Sequence, residues 1–318
     1  MESIGNVWLW ASFAIVVVLA LLADLALMRH GGPHRVGFRE ALVWSAGWVA
    51  LALIFNVGLW WYLVETAGEA VGNQIALEFL TGYLVEKSLA VDNIFVFLML
   101  FTYFGVPAQS QQRVLVFGVL GAIFLRAIMI FIGAALVAQF SWVLYLFGAF
   151  LLLTGIKMWR TAGQEPDMDR NPVLRWVTGH LPLIRRYQGE ALWIGQGSRR
   201  KYTPLFVVLV MIAVTDVIFA VDSIPAIFAI TTDPFIVLTS NVFAVLGLRA
   251  MFFMLAGLAD RFHLLPYGLA VVLVFVGAKM LIAGFYHIPV LVSLAVVVTV
   301  LALTMVLSLK LPPPAEHP

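Results

Sequence analysis

The sequence predicts an all-α polytopic membrane protein of about nine transmembrane helices, with helices three to five and six to eight forming an inverted 3+3 repeat. Three observations predict it. The chain is 63% hydrophobic and 11% charged, with a mean hydropathy of +1.01, values that belong to a membrane protein. Its apolar residues form continuous runs long enough to cross a bilayer, not the alternation of a β-barrel. One acidic signature occurs twice inside such runs, as Glu86-Lys-Ser-Leu-Ala90-Val91-Asp92-Asn93 and as Asp216-Val-Ile-Phe-Ala220-Val221-Asp222-Ser223.

The runs lie near 7–28, 42–63, 77–101, 114–137, 142–159, 204–230, 235–258, 267–285 and 288–309. The first has no basic stretch before it, carries Asp24 inside, and is followed by Arg29, Arg35 and Arg39. It therefore reads as a retained helix, not a cleaved signal. With the second run it makes an N-terminal helix pair over 1–70. Asp24 has no counterpart elsewhere and is expected at headgroup level. Trp8, Trp10, Trp44, Trp48, Trp60, Trp61 and Tyr62 read as an interface belt.

Residues 77–160 form the first repeat and 204–286 the second. Besides the acids, Gly121-Ala-Ile-Phe-Leu-Arg126-Ala127 resembles Leu246-Gly247-Leu248-Arg249-Ala250, and Gly155-Ile-Lys157-Met158 resembles Gly277-Ala-Lys279-Met280. The three motifs recur in the same order, displaced by 130, 123 and 122 residues. Each unit holds three helices, an odd number, so the second enters the membrane from the opposite side, the construction of many secondary transporters. Between the units, 161–203 is a basic connection with breakers at Pro166, Pro172, Gly179, Pro182, Gly189, Gly195 and Gly197. Val173, Leu174, Trp176, Val177 and Leu181 stand at helix-like spacing there, so it is either a short helix on the inner leaflet or a tethered loop. Residues 287–318 hold the last helix, with His287 expected at the outer interface, and a tail expected to be disordered.

Basic residues set the orientation. Of 19 Lys and Arg, 14 fall in alternate loops: Arg29, Arg35, Arg39, Arg113, Arg160, Arg170, Arg175, Arg185, Arg186, Arg199, Arg200, Lys201, Arg261 and Lys310. The opposite loops hold Glu2, Glu65, Glu69 and Asp233 instead. The N-terminus is thus expected outside and the C-terminus in the cytoplasm of a bacterial inner membrane.

Nine charged side chains are read inside the repeat helices: Glu86, Lys87, Asp92, Arg126, Lys157, Asp216, Asp222, Arg249 and Lys279. Facing lipid they would cost roughly 20–30 kcal/mol together, more than a typical folding stability. They must face one another or a wet cavity. Glu86, Asp92, Asp216 and Asp222 are the candidate metal ligands. Asn93, Ser223 and Asn241 are candidate neutral oxygens, with helix–helix hydrogen bonding as their alternative role. Lys87, Arg126, Arg249 and Lys279 are the candidate charge partners, and Lys157 is expected to snorkel toward the cytoplasm. Lys87 is the odd charge, because its counterpart is Val217.

Six residues along a helix turn about 600°, which separates the acids of each pair by about 120° and about 9 Å in height. Either the pairs serve successive sites, or each helix breaks between its acids, as Pro225 suggests for the sixth segment. An all-oxygen set suits hard cations such as Mn²⁺, Mg²⁺ or Ca²⁺. The chain has no cysteine, which removes disulfides, thiolate metal sites and thiol redox chemistry. It carries no Walker motif, Rossmann fingerprint or nucleophile elbow, so it is not expected to be an enzyme, and transport would draw on ion gradients or a partner.

These motifs, together with Phe219-Ala220-Val221-Asp222-Ser223-Ile224-Pro225-Ala226 and Thr231-Thr-Asp233-Pro234-Phe235, resemble the TerC family over about residues 5–310. The resemblance implies an inner-membrane protein of the LysE-like transporter superfamily, exporting Mn²⁺, with Glu86, Asp92, Asp216 and Asp222 at its acidic positions. The family's older labels, tellurium resistance and redox modulation, gain no support from a chain without cysteine. The expected partners are the lipid bilayer, a divalent cation and a coupling proton or sodium ion, with no nucleic acid. No permanently bound cofactor is expected; Mn²⁺ would be cargo. Two other functions remain open: a membrane scaffold assisting secretion or membrane-protein assembly, and a Na⁺/H⁺ exchanger.

Overall fold

The computed structural model describes residues 3–31, 37–140, 142–162, 171–184, 186–195, 200–256, 263–286 and 288–311; the side chains of 27–31, 91, 92 and 95 lie outside the described set, as do the expected tail and His287. The fold is an all-α membrane bundle. Its helices are α1 (Val7–Gly31), α2 (Phe38–Ala67), α3 (Glu69–Tyr103), α4 (Ala108–Gln139), α5 (Val143–Thr161), α6 (Pro172–His180), α7 (Pro204–Phe228), α8 (Pro234–Val245), α9 (Leu248–Ala256), α10 (Leu265–Ile282) and α11 (Val290–Lys310). Among the described residues, eight runs are long and apolar enough to cross a membrane, with α8 and α9 together counting as the single run Pro234–Ala256. The 35-residue α3 is long enough as well, at roughly 50 Å, but carries Glu78, Glu86, Lys87 and Asp92.

The two acid-bearing helices organise the interior. α3 and α7 both contribute to each of three hydrophobic clusters. The first joins them to α1, α2 and α8 through Phe13, Trp48, Phe79, Phe235 and Phe243. The second joins them to α4, α6 and α9, around Phe97, Leu115, Met211 and Phe252. The third brings in α5, α10 and α11, with Leu89, Leu151, Leu273 and Val297. Large apolar side chains on the outer faces of α1, α2, α4, α5 and α11 stay exposed, Ile54, Phe124, Leu153 and Leu303 among them, as lipid-facing surfaces require.

Small residues let α5 and α10 meet backbone to backbone. A Cβ on Gly277 would come 2.7 Å from both the Gly148 carbonyl oxygen and the Leu152 nitrogen. One on Gly155 would come 2.9 Å from the Ala270 oxygen and the Val274 nitrogen. Such contacts drive association where the hydrophobic effect cannot.

Two choices that the sequence left open are decided by the structure. First, α3 and α7 run unbroken through their acids, and Pro225 falls in the last turn of α7, where little helix remains to disrupt. The break lies instead in the seventh segment, expected as one helix over 235–258: α8 stops at Val245 and α9 starts at Leu248. Gly247 lies between them with φ +80°, and a Cβ there would sit 2.5 Å from Trp48 Cδ1. The run is 89% buried in the protein, so its freed backbone groups can find partners other than lipid. Second, in the described part of the 161–203 connection the chain takes the first of the two forms the sequence allowed, a short helix. Asn171 caps α6 by accepting hydrogen bonds from the Val173 and Leu174 amides, and Leu174 and Val177 bury against the bundle. A two-stranded hairpin, β1 (Trp193–Ile194) with β2 (Lys201–Tyr202), leads into α7. The Tyr187 hydroxyl donates to the Phe104 carbonyl at 2.7 Å, and burial pushes its phenol up.

Gly247→Ala should lower stability by about 1–3 kcal/mol, because the new methyl meets Trp48 and the left-handed backbone disfavours it. Thermal unfolding in detergent reads this directly; an unchanged midpoint would mean that the break does not depend on the glycine.

Candidate functional site

Arg126 stands midway along α4 with 1% of its surface exposed, facing α3, α7 and α8. Its Nε and Nη2 donate to the two carboxylate oxygens of Asp216, at 3.4 and 3.0 Å. Its Nη1 donates to Glu86 and, at 3.3 Å, to the side-chain oxygen of Asn241. Glu86, Asp216 and Asn241 are all buried. One cation therefore joins an acid from each predicted repeat, which formally leaves one negative charge in excess. In α7 the helical turn explains why only one member of the acidic pair meets Arg126. With α3 and α7 unbroken, Asp216 and Asp222 point about 120° apart.

Asp222 points elsewhere. It accepts a hydrogen bond from Thr154 at 3.3 Å and feels the charge of Lys157. With Glu86, Asn93 and Ser223 it lines a cavity of about 40 Å³, closed on its apolar side by Leu89, Met158, Phe219 and Leu273. That is room for one ion or a few waters. The second carboxylate oxygen of Glu86 and the Ser223 hydroxyl are buried without a hydrogen-bond partner among the described residues. Buried polar atoms are rarely left so, and both belong to residues lining this cavity. Its polar walls are two carboxylates, an amide and a hydroxyl, an oxygen donor set for a hard cation.

Among the described residues, no three His, Asp or Glu side chains stand close enough to hold a metal. Asp216 is engaged by Arg126, and the Asp92 side chain lies outside the described set.

The other cations find separate partners. Arg249, the counterpart of Arg126 by motif, donates to Asp24 at 2.6 Å. Asp24 is thus the counter-ion that ties α1 to α9. Lys87 donates to the Ala244 and Leu246 carbonyls. Lys279 is buried and feels the charge of Glu78, which itself accepts from Gln74 at 2.9 Å. Lys157 is exposed. Sequence reasoning missed Glu78, although it lies within the third segment, and Thr154. The available signal for Glu78 was a carboxylate eight residues before Glu86 in an apolar run.

Comparison with known proteins follows this geometry. The model of the integral membrane protein TerC family matches residues 71–313. A protein of Escherichia coli strain K12 named "Putative membrane-bound redox modulator Alx" is 56% identical over 308 residues, 97% of this chain and 96% of that one. An uncharacterized membrane protein of Myxococcus xanthus is 47% identical over 307 residues, 96% of this chain and 93% of its own length. No solved structure matches.

Arg126→Met should leave Glu86 and Asp216 buried without their partner and lower stability by about 3–5 kcal/mol. Combining it with Glu86→Gln and Asp216→Asn removes the stranded charges and should restore most of the loss. Thermal unfolding of wild type and the two variants tests this; a triple variant as unstable as Arg126→Met would show that packing, not charge, sets the cost.

Proposed function

Because this chain belongs to the TerC family of integral membrane proteins, we propose that it exports a divalent cation across the bacterial inner membrane, with Mn²⁺ as the first candidate, in exchange for protons or sodium. The observation that carries this reading is the oxygen-lined cavity between α3 and α7, lined by Glu86, Asp222, Asn93 and Ser223. These are hard ligands, and two of their oxygens lack partners among the described residues. Asp92 lies one residue before Asn93 on α3 and would complete the acidic set as the helices rearrange. The twofold acidic motif supports an inverted repeat in which the two units exchange access to the site, and the basic-residue bias supports an outer N-terminus and a cytoplasmic C-terminus.

In this reading Arg126 is the counter-ion of the empty site. It holds Glu86 and Asp216 while no metal is bound. A metal entering the cavity competes with it for Glu86, and carboxylates must be deprotonated to ligate. Binding therefore displaces protons, and protons arriving from the far side displace the metal. The relatives' name speaks of redox modulation, but a chain without cysteine has no thiol for such a role. A scaffold reading draws on a different observation: Arg249 and Lys87 are engaged between helices. That accounts for these cations but not for the open oxygens of the cavity.

Asp92→Asn and Asp222→Asn should each abolish Mn²⁺ efflux from proteoliposomes while leaving insertion and folding intact, since each removes an anionic ligand with little change in volume. Normal efflux from both would overturn the reading. Wild-type efflux should fall as the cytoplasmic-side pH is lowered, because protons compete with metal for the same carboxylates. Flux that is flat between pH 6 and 8.5, under either proton or sodium gradients, would rule out that competition.

A further inference from the structure

Lys87 is a charge that the paired acids do not explain. Its counterpart in the second unit is Val217, and its ammonium makes no contact with an acid among the described residues. It reaches instead to the break in the seventh segment, where Nζ stands 3.1 Å from the Ala244 carbonyl oxygen and 3.2 Å from that of Leu246. The Tyr83 ring, one turn earlier on α3, faces the same ammonium at 5.9 Å from its centroid. Two carbonyls and an aromatic face make up the ammonium's surroundings, the kind of shell that small monovalent cations accept.

Backbone geometry creates that shell. A helix leaves its last four carbonyls without intrahelical donors, and the C-terminal end carries the negative pole of the helix dipole. Here α8 ends at Val245 inside the protein, and Gly247, with φ +80°, turns the chain before α9 resumes. Val242 keeps a backbone partner, accepting from the Leu246 amide at 2.8 Å. Ala244 and Leu246 turn to Lys87. Unwound carbonyls of interrupted membrane helices are a recurrent place for alkali ions. We propose that the α8–α9 break is a monovalent-cation site that the chain fills with its own Lys87 ammonium, tethered from α3. The vacated site would take ammonium, a small alkylammonium or an alkali ion. The inference does not depend on which ion the protein transports.

The test removes the tethered charge and offers a free one. Wild type and Lys87→Ala are purified in detergent, and unfolding midpoints are measured in chloride salts of ammonium, ethylammonium, potassium, sodium and choline at equal ionic strength. Lys87→Ala should unfold several degrees below wild type in choline and recover much of that difference in ammonium, ethylammonium or potassium. Wild type should respond alike to all five, which also controls for cations bound at the acids, since it retains every one of them. Should Lys87→Ala fail to accumulate, Lys87→Ser, whose hydroxyl hydrates the emptied space, carries the same expectation. A variant whose midpoint is the same in every salt overturns the proposal, as does a wild type stabilised by the same small cations to the same extent.

Discussion

A guanidinium in the middle of a membrane bundle is tolerated only if acids meet it, and the contact of Arg126 with Glu86 and Asp216 is the constraint on which the rest of this fold turns. It requires α4 to sit between α3 and α7, and the Asn241 contact adds α8. These helices then share the hydrophobic clusters that fill the interior. The contact is also strained in its stoichiometry. Two carboxylates share one cation, so the charge count favours any further cation that can reach Glu86. A fully satisfied network would rigidify the bundle. Among the described residues this one keeps an unpartnered carboxylate oxygen on Glu86, a residue that lines the cavity.

Much of this was legible in the sequence. Continuous apolar runs announced the helices, and the cost of charge in hydrocarbon required Arg126 to meet acids. The six-residue spacing stated the geometric choice between a broken helix and two directions, and the continuity of α3 and α7 decides it. What escaped was set by distance along the chain. Asp24 and Arg249 lie 225 residues apart, and no local pattern links a lone acid in the first helix to an arginine of the second unit. The break escaped for another reason. Leu246-Gly247-Leu248 is as apolar as its surroundings, so hydropathy reads through it; only the left-handed turn at Gly247 and the packing of Trp48 against it reveal the interruption.

The two arginines show what motif similarity can and cannot carry. Arg126 and Arg249 occupy matching places in repeated motifs, yet one holds the acids of both units and the other is held by Asp24, outside the repeats. The N-terminal pair is therefore more than an appended anchor. Asp24 engages the arginine whose counterpart by motif occupies the centre.

The same reasoning applies to the seventh segment. A buried helix that breaks must satisfy carbonyls that a continuous helix would have bonded for itself, and water is scarce at that depth. The chain answers with the ammonium of Lys87, from the helix that also supplies Glu86. The residue next to the candidate ligand thus pins α3 to the break. Any rotation of α3 that swings Glu86 away from Arg126 must also carry Lys87 off the carbonyls, unless its flexible stem takes up the movement. Glu86, at the cavity, and Lys87, at the helix break, are consecutive residues, so one short stretch of α3 serves both places.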